Sequence, residues 1–238
     1  MEIYLFLAII SLLAGFIQGL SGFGSVLLSL PLLVLLLDVR TAIPLVALYG
    51  LVLALFLMVQ LREHWDWKKL YPLCLSCIPG APVGVWLLNL MNAQFIQWMV
   101  GVFLIVFALY SLFLKPDARV TGTGWAYLTG FVAGCLGGAI SASGPPVIVY
   151  TSLQPWSKDQ IKMTLQGFFV ISGIVVVFFQ ALGGLVTGTV LWYFLVTLPL
   201  LLAGTWAGSL LYGRIREAVY RKLLLVLLAL LGLFMIMK

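Results

Sequence analysis

Two stretches of this chain combine glycine, serine and proline inside strongly apolar surroundings: Gly22-Phe23-Gly24-Ser25 and Ser141-Ala142-Ser143-Gly144-Pro145-Pro146. Their chemistry is that of a helix beginning where no water reaches. Such a start presents unpaired backbone N–H groups and the positive end of the helix dipole. Glycine lets a ligand approach the backbone, serine adds a hydroxyl donor, and proline in a first turn removes only an N–H that would be orphaned there. The ligand attracted is an anion, and no formal positive charge is needed to hold it. Ser25, Ser141 and Ser143 are the expected hydroxyl donors, with Gly22, Gly24, Gly144 and Pro145 giving backbone approach and helix starts. Gln18, just before the first break, and Gln166, beyond the second, either complete the pocket or hydrogen-bond between helices.

The two stretches are related. A shift of 115 residues superimposes Gly15, Phe16, Gly19, Gly22 and Pro31 on Gly130, Phe131, Gly134, Gly137 and Pro146. A second echo, at an offset of 120, matches Pro79, Gly84 and Trp86 with Pro199, Gly204 and Trp206. Glycines at such spacings also let helices cross closely, which is the plain alternative for each of them. Their recurrence together with serine and proline favours paired breaks, which in a membrane protein point to a transport site.

The elements that must carry these breaks follow from composition. The chain is 63% hydrophobic and 8% charged, where a soluble domain carries about a quarter charged residues. Apolar runs at 41–61, 70–90, 94–114, 161–182, 190–211 and 223–237 are long enough to cross a bilayer as helices. They are apolar on every face, which excludes the alternation of a membrane β-barrel. Trp65, Trp67, Tyr71, Trp125, Tyr127, Trp156, Trp192 and Tyr193 lie near the ends of these runs, where amphipathic rings favour the interface. The first apolar segment follows Glu2 with no basic region before it, so it does not read as a cleaved signal peptide. The net charge of +6 is the basic excess of membrane loops, not a nucleic-acid footprint.

Positive charge chooses between two topologies. If the segment around each break crosses once, there are eight spans, and the thirteen Lys and Arg residues divide six to seven. If each break is the tip of a hairpin that returns to its own side, every half has five segments and the second half is inverted. Only Arg40 and Lys238 then stand apart from the other Lys and Arg residues, a strong positive-inside asymmetry. The expected fold is therefore an all-α polytopic membrane protein. It has two inverted repeats, each a glycine-broken re-entrant helical hairpin plus three further membrane helices. The repeats are 1–114 and 124–238, joined by a cytoplasmic loop at 115–123, with both termini periplasmic or extracellular. The depth of the hairpins is left open.

The ionisable residues exclude other chemistry. Glu2, Asp38, Glu63, Asp66, Asp117, Asp159 and Glu217 all fall at segment ends or in loops, so no span carries the carboxylate that a proton relay or cation site needs. Cys74-Leu75-Ser76-Cys77 has redox spacing without a βαβ context, and Cys74, Cys77 and Cys135 read as small packing residues. His64 stands alone in a polar loop. No catalytic residue, metal or cofactor is expected. Arg40, Lys158 and Lys162, just after the hairpins, either signal topology or draw an anion to the mouth.

These residues resemble the TauE/SafE family of sulfite exporters, also called the toluene sulfonate uptake permease family. The resemblance covers nearly the whole chain. It rests on two tandem halves, each opening with G-F-x-x-G-x-x-G and a downstream proline, at 15–31 and 130–146. Ser143-Gly144-Pro145-Pro146 and Tyr150 match the second-half signature. Where a glycine triplet is common, this chain has Gly22-Phe23-Gly24-Ser25 and Gly137-Gly138, which leaves the particular anion open. The resemblance implies export of sulfite or an organosulfonate across a bacterial inner membrane. The expected partners are that anion and the lipid bilayer, with no nucleic acid and with homo-oligomerisation left open. The rival readings are uptake of another sulfur-containing or carboxylate anion, a membrane subunit that transports nothing, and a thiol-dependent membrane enzyme using Cys74 and Cys77.

Overall fold

A computed structural model describes residues 2–60, 66–113, 122–211 and 217–237. Among them are ten helices and no strand. In chain order these are α1 (Glu2–Ser21), α2 (Ser25–Val34), α3 (Val39–Gln60), α4 (Trp67–Leu90), α5 (Ala93–Phe113), α6 (Thr123–Ile140), α7 (Gly144–Ser152), α8 (Lys158–Leu182), α9 (Gly188–Leu210) and α10 (Glu217–Met237). Long apolar segments adopt helices because a helix satisfies its backbone polar groups within the segment, without water. Six of the described segments are long and apolar enough to cross a membrane: Glu2–Ser21, Val39–Met58, Trp67–Leu90, Ala93–Phe113, Gln160–Leu182 and Gly188–Leu210. The chain is a multi-pass, all-helical membrane protein.

Both glycine-rich stretches break a helix. A long helix of 20 or 18 residues is followed by a break and a short helix of 10 or 9. At 1.5 Å per residue the first arms are about 30 Å and 27 Å long, and the second arms only about 15 Å. The arms of each break are thus unequal, which the sequence left undecided.

Several charges behind the sidedness argument lie outside the described residues: Arg62, Lys115, Arg119, Arg214, Arg216 and Lys238. So do Glu63, His64, Trp65, Pro116, Asp117 and Thr121, and the side chains of Lys158, Asp159, Glu217 and Arg221.

The chain forms two compact units that cut across the sequence halves. One comprises Met1–Tyr49, Met91–Lys115 and Thr187–Lys238, and the other Gly50–Leu90 and Pro116–Val186. In the first unit α1 lies along α9. A Cβ on Gly15 or Gly19 would run into the carbonyls of Leu201 or Thr205, and one on Gly204 or Gly208 into those of Leu12 or Phe16. Also in this unit, α5 and α10 meet at Gly101 and Gly232, where a Cβ on either would sit 2.7 Å from the other's carbonyl oxygen. Tyr49 Oη is 2.6 Å from Thr197 Oγ1, both fully buried. Thr197 donates its own proton to Tyr193 O at 2.7 Å, so Tyr49 is the donor to Thr197.

The second unit repeats this packing with other helices. Here α6 lies along α4: Gly130, Gly134 and Gly138 face the carbonyls of Leu73, Cys77 and Ala81, while Gly80 and Gly84 face those of Phe131 and Cys135. Cys74 and Cys77 pack with Leu70, Leu73, Ala133 and Phe168 in the core of this unit. Spaced small residues are what allow backbones to approach this closely. The first helix of one half thus lies on the fourth helix of the other half, and the arrangement occurs once in each unit.

Candidate functional site

At the first break, α1 ends where Gly22 and Gly24 take positive φ values of 80° and 103°, a region open to glycine at no steric cost. Gln18, buried on the last turn of α1, organises the turn. Its Nε2 donates to Gly22 O at 3.3 Å, and its Oε1 accepts from the Ser25 N–H at 3.2 Å and the Ser25 hydroxyl at 2.9 Å. The Ser25 hydroxyl therefore points back into the protein. Ser21 Oγ donates to Ile17 O at 2.6 Å and stands against Phe23 O. Gln18 takes the Ser25 N–H, and Gly24 O accepts from the Leu28 N–H at 3.0 Å. The Val26 and Leu27 N–H groups are those left without an intrahelical acceptor at the start of α2.

At the second break the geometry differs. Ser141, buried at the end of α6, has a φ of 57°, the one positive value among the described non-glycine residues. Its N–H reaches Gly137 O at 2.8 Å and the Ala142 N–H reaches Leu136 O at 3.3 Å, a bond pair that closes a helix end. Ser143 is half-buried at the N-cap of α7 and makes no side-chain cap bond. Gly144 opens the helix beside the Phe169 ring, which a Cβ would meet at 3.3 Å. Pro145 and Pro146 follow, so the first turn of α7 has fewer N–H groups than that of α2.

The residue that sequence reasoning missed is Gln180, fully buried on α8. Its Nε2 donates to Ser141 Oγ at 3.2 Å and to Gly138 O at 3.4 Å. A glutamine inside the apolar run before Leu182 was the available signal, because an amide there must find partners. Gln166, also fully buried, lies fourteen residues earlier on α8, about 21 Å along the axis.

No side chain named at either break is charged. Two charged side chains that the structure describes, Arg40 and Lys69, have partners of their own. Arg40 Nη2 donates to Met91 O at 3.0 Å, and its N–H to Asp38 Oδ2 at 2.9 Å. Lys69 pairs with Asp66 at 3.4 Å and stands 5.0 Å from the centre of the Trp156 ring. The polar groups described at the breaks are therefore neutral: backbone dipoles, hydroxyls and carboxamides.

The family model described as "Sulfite exporter TauE/SafE" matches residues 7–235. A probable sulfite/organosulfonate exporter TauE of Cupriavidus necator is 27% identical over 151 residues, covering 61% of this chain and 59% of that protein. The chain thus aligns with about three fifths of that relative's length. No solved structure matches the chain. With its matched span running almost from end to end, the chain belongs to the TauE/SafE family of membrane transporters.

Proposed function

We propose that the chain carries sulfite or an organosulfonate across the bacterial inner membrane, in the direction of export. The observation that carries this reading is the pair of broken helices, each with buried serine at the break and neither with a charged side chain named there. The relative's printed name, a probable sulfite/organosulfonate exporter, supports the choice of anion. The substrate-binding residues proposed are Gly22, Gly24, Ser25 and Gln18 at one break, and Ser141, Ser143, Gly144 and Pro145 at the other, with Gln166 on α8. Export needs no built-in coupling, because an inside-negative potential drives anions outward by about 2.3 kcal/mol per charge per 100 mV.

The proposal includes inverted repeats at 1–114 and 124–238 and both termini on the periplasmic face. The offsets of 115 and 120 residues support the repeat, and so does the exchange of first and fourth helices between the halves. The uneven division of Lys and Arg supports the sidedness.

The test is sulfite efflux from proteoliposomes under an imposed potential, with sulfate, taurine and acetate as comparators. Saturable sulfite flux that follows the potential is the expected result. Flux of another anion instead would discard sulfite and keep the transport reading. Silence for every anion, from folded protein, would overturn it.

A further inference from the structure

Each break has a buried glutamine carboxamide against it, and the two differ in what the oxygen meets. Gln18 Oε1 takes both donors of Ser25 while its nitrogen donates to Gly22 O, so that amide is engaged on both sides. Gln180 engages its nitrogen only, with Ser141 Oγ and Gly138 O. Its Oε1 is enclosed and has no hydrogen-bond partner among the described residues. Turning the amide over would set its oxygen against Gly138 O, acceptor to acceptor. A buried acceptor without a donor is rare in a native protein and asks for a missing group.

That oxygen shares a carbon with the nitrogen bonded to Ser141, so it stands at the same break, where α7 begins. The nine-residue α7 turns its positive end there, and Pro145 and Pro146 thin out its N–H groups. A ligand at this break meets a dipole that favours negative charge and an oxygen that can only accept. A fully deprotonated anion satisfies the first and is repelled by the second. An anion that keeps a proton on oxygen or nitrogen satisfies both.

We propose that Gln180 is a substrate-binding residue that determines specificity, its Oε1 accepting a hydrogen bond from the carried anion. The second break then selects a singly charged anion with a donor of its own: hydrogen sulfite, or a sulfonate bearing a hydroxyl or ammonium group. This rests on the transport function proposed above. Discrimination arises because an analogue lacking the donor leaves the enclosed carbonyl unpaired.

The test uses the full-length protein in proteoliposomes, with sulfite flux inhibited by isethionate (2-hydroxyethanesulfonate) or by ethanesulfonate. These two carry the same charge and differ by one hydroxyl. Isethionate is expected to inhibit wild type at about a tenfold lower concentration. Gln180→Met is expected to bring that ratio close to one, with thermal unfolding reporting that the variant is folded. A glutamine that only holds the helices together would lower stability or flux in the variant and leave the ratio unchanged, which overturns the proposal. Equal inhibition of wild type, or inhibition by neither compound, overturns it without need of any variant, and equal inhibition points to a resident water at Oε1. Sulfite flux without a donor preference removes this inference alone, whereas silence of wild type toward every anion removes the transport function with it.

Discussion

Gln18 Oε1 accepts hydrogen bonds from both the backbone N–H and the hydroxyl of Ser25, at 3.2 Å and 2.9 Å, across the break between α1 and α2. One carboxamide thereby stands in for the preceding carbonyl that α2 lacks at its start. The first break is a built element, held from inside by a residue of the helix it terminates.

Gln18→Leu removes this acceptor and leaves the Ser25 donors buried and unpaired. The expected cost is about 1–3 kcal/mol of stability, read by thermal unfolding in detergent. Sulfite flux is expected to fall with it. A variant as stable and as active as wild type would show that the tie does not shape the break.

The glycines on the α1–α9 and α4–α6 lines face backbone, which cannot yield as a side chain can. Gly19→Ala and Gly134→Ala are expected to destabilise by about 1–3 kcal/mol, the range for overpacking. Gly188→Ala is the control: a Cβ there meets nothing within 4 Å, and stability should change by less than about 0.5 kcal/mol. Equal losses at all three positions would contradict the close packing.

Gly24 and Gly144 should respond differently to the same change. Alanine at Gly24 must hold a φ of 103°, a strain of about 1–2 kcal/mol, besides meeting Ile17 and Leu224 side chains at 3.3 Å. Alanine at Gly144 is tight only against the edge of the Phe169 ring, which can shift, and meets Ile148 at an ordinary 3.8 Å. Unfolding temperatures are expected to fall in the order Gly144→Ala, then Gly24→Ala, with the larger loss at Gly24.

The free cysteines Cys74 and Cys77 pack in the core of their unit and Cys135 is half-buried, so replacing all three by alanine is expected to preserve sulfite flux. Loss of flux from a variant that remains folded would assign them chemistry. The cysteine-free protein then reports topology. Thr121→Cys and Trp156→Cys should both label from the cytoplasm only, and labelling from opposite faces would restore eight spans.

Much of the architecture was legible in the sequence because the bilayer leaves a long apolar segment little choice but a helix. The break positions were legible for the same reason, since Gly22-Phe23-Gly24-Ser25 and Ser143-Gly144-Pro145-Pro146 do not suit a continuous helix interior. The division of labour among the glycines was not. Gly15, Gly19, Gly130 and Gly134 serve close helix contact, while Gly22 and Gly24 serve the turn, and the letter is the same in both cases. What separates them is φ, which depends on hydrogen bonds that a residue type does not encode. Gln180 was hidden differently. An amide in an apolar run announces that it needs partners, but Ser141 and Gly138 are 39 and 42 residues away.

The exchange of first and fourth helices between the halves also sets a timetable for synthesis. The glycine face of α1 waits for α9, whose first residue follows the end of α1 by about 170 positions. At about 5–20 residues per second, that face stays uncovered for on the order of ten to thirty seconds. The α4–α6 line closes much sooner, because only residues 91–122, α5 among them, separate those helices. The nascent chain should therefore assemble its middle first, with the amino-terminal helix waiting longest for its neighbour and most in need of an attendant meanwhile.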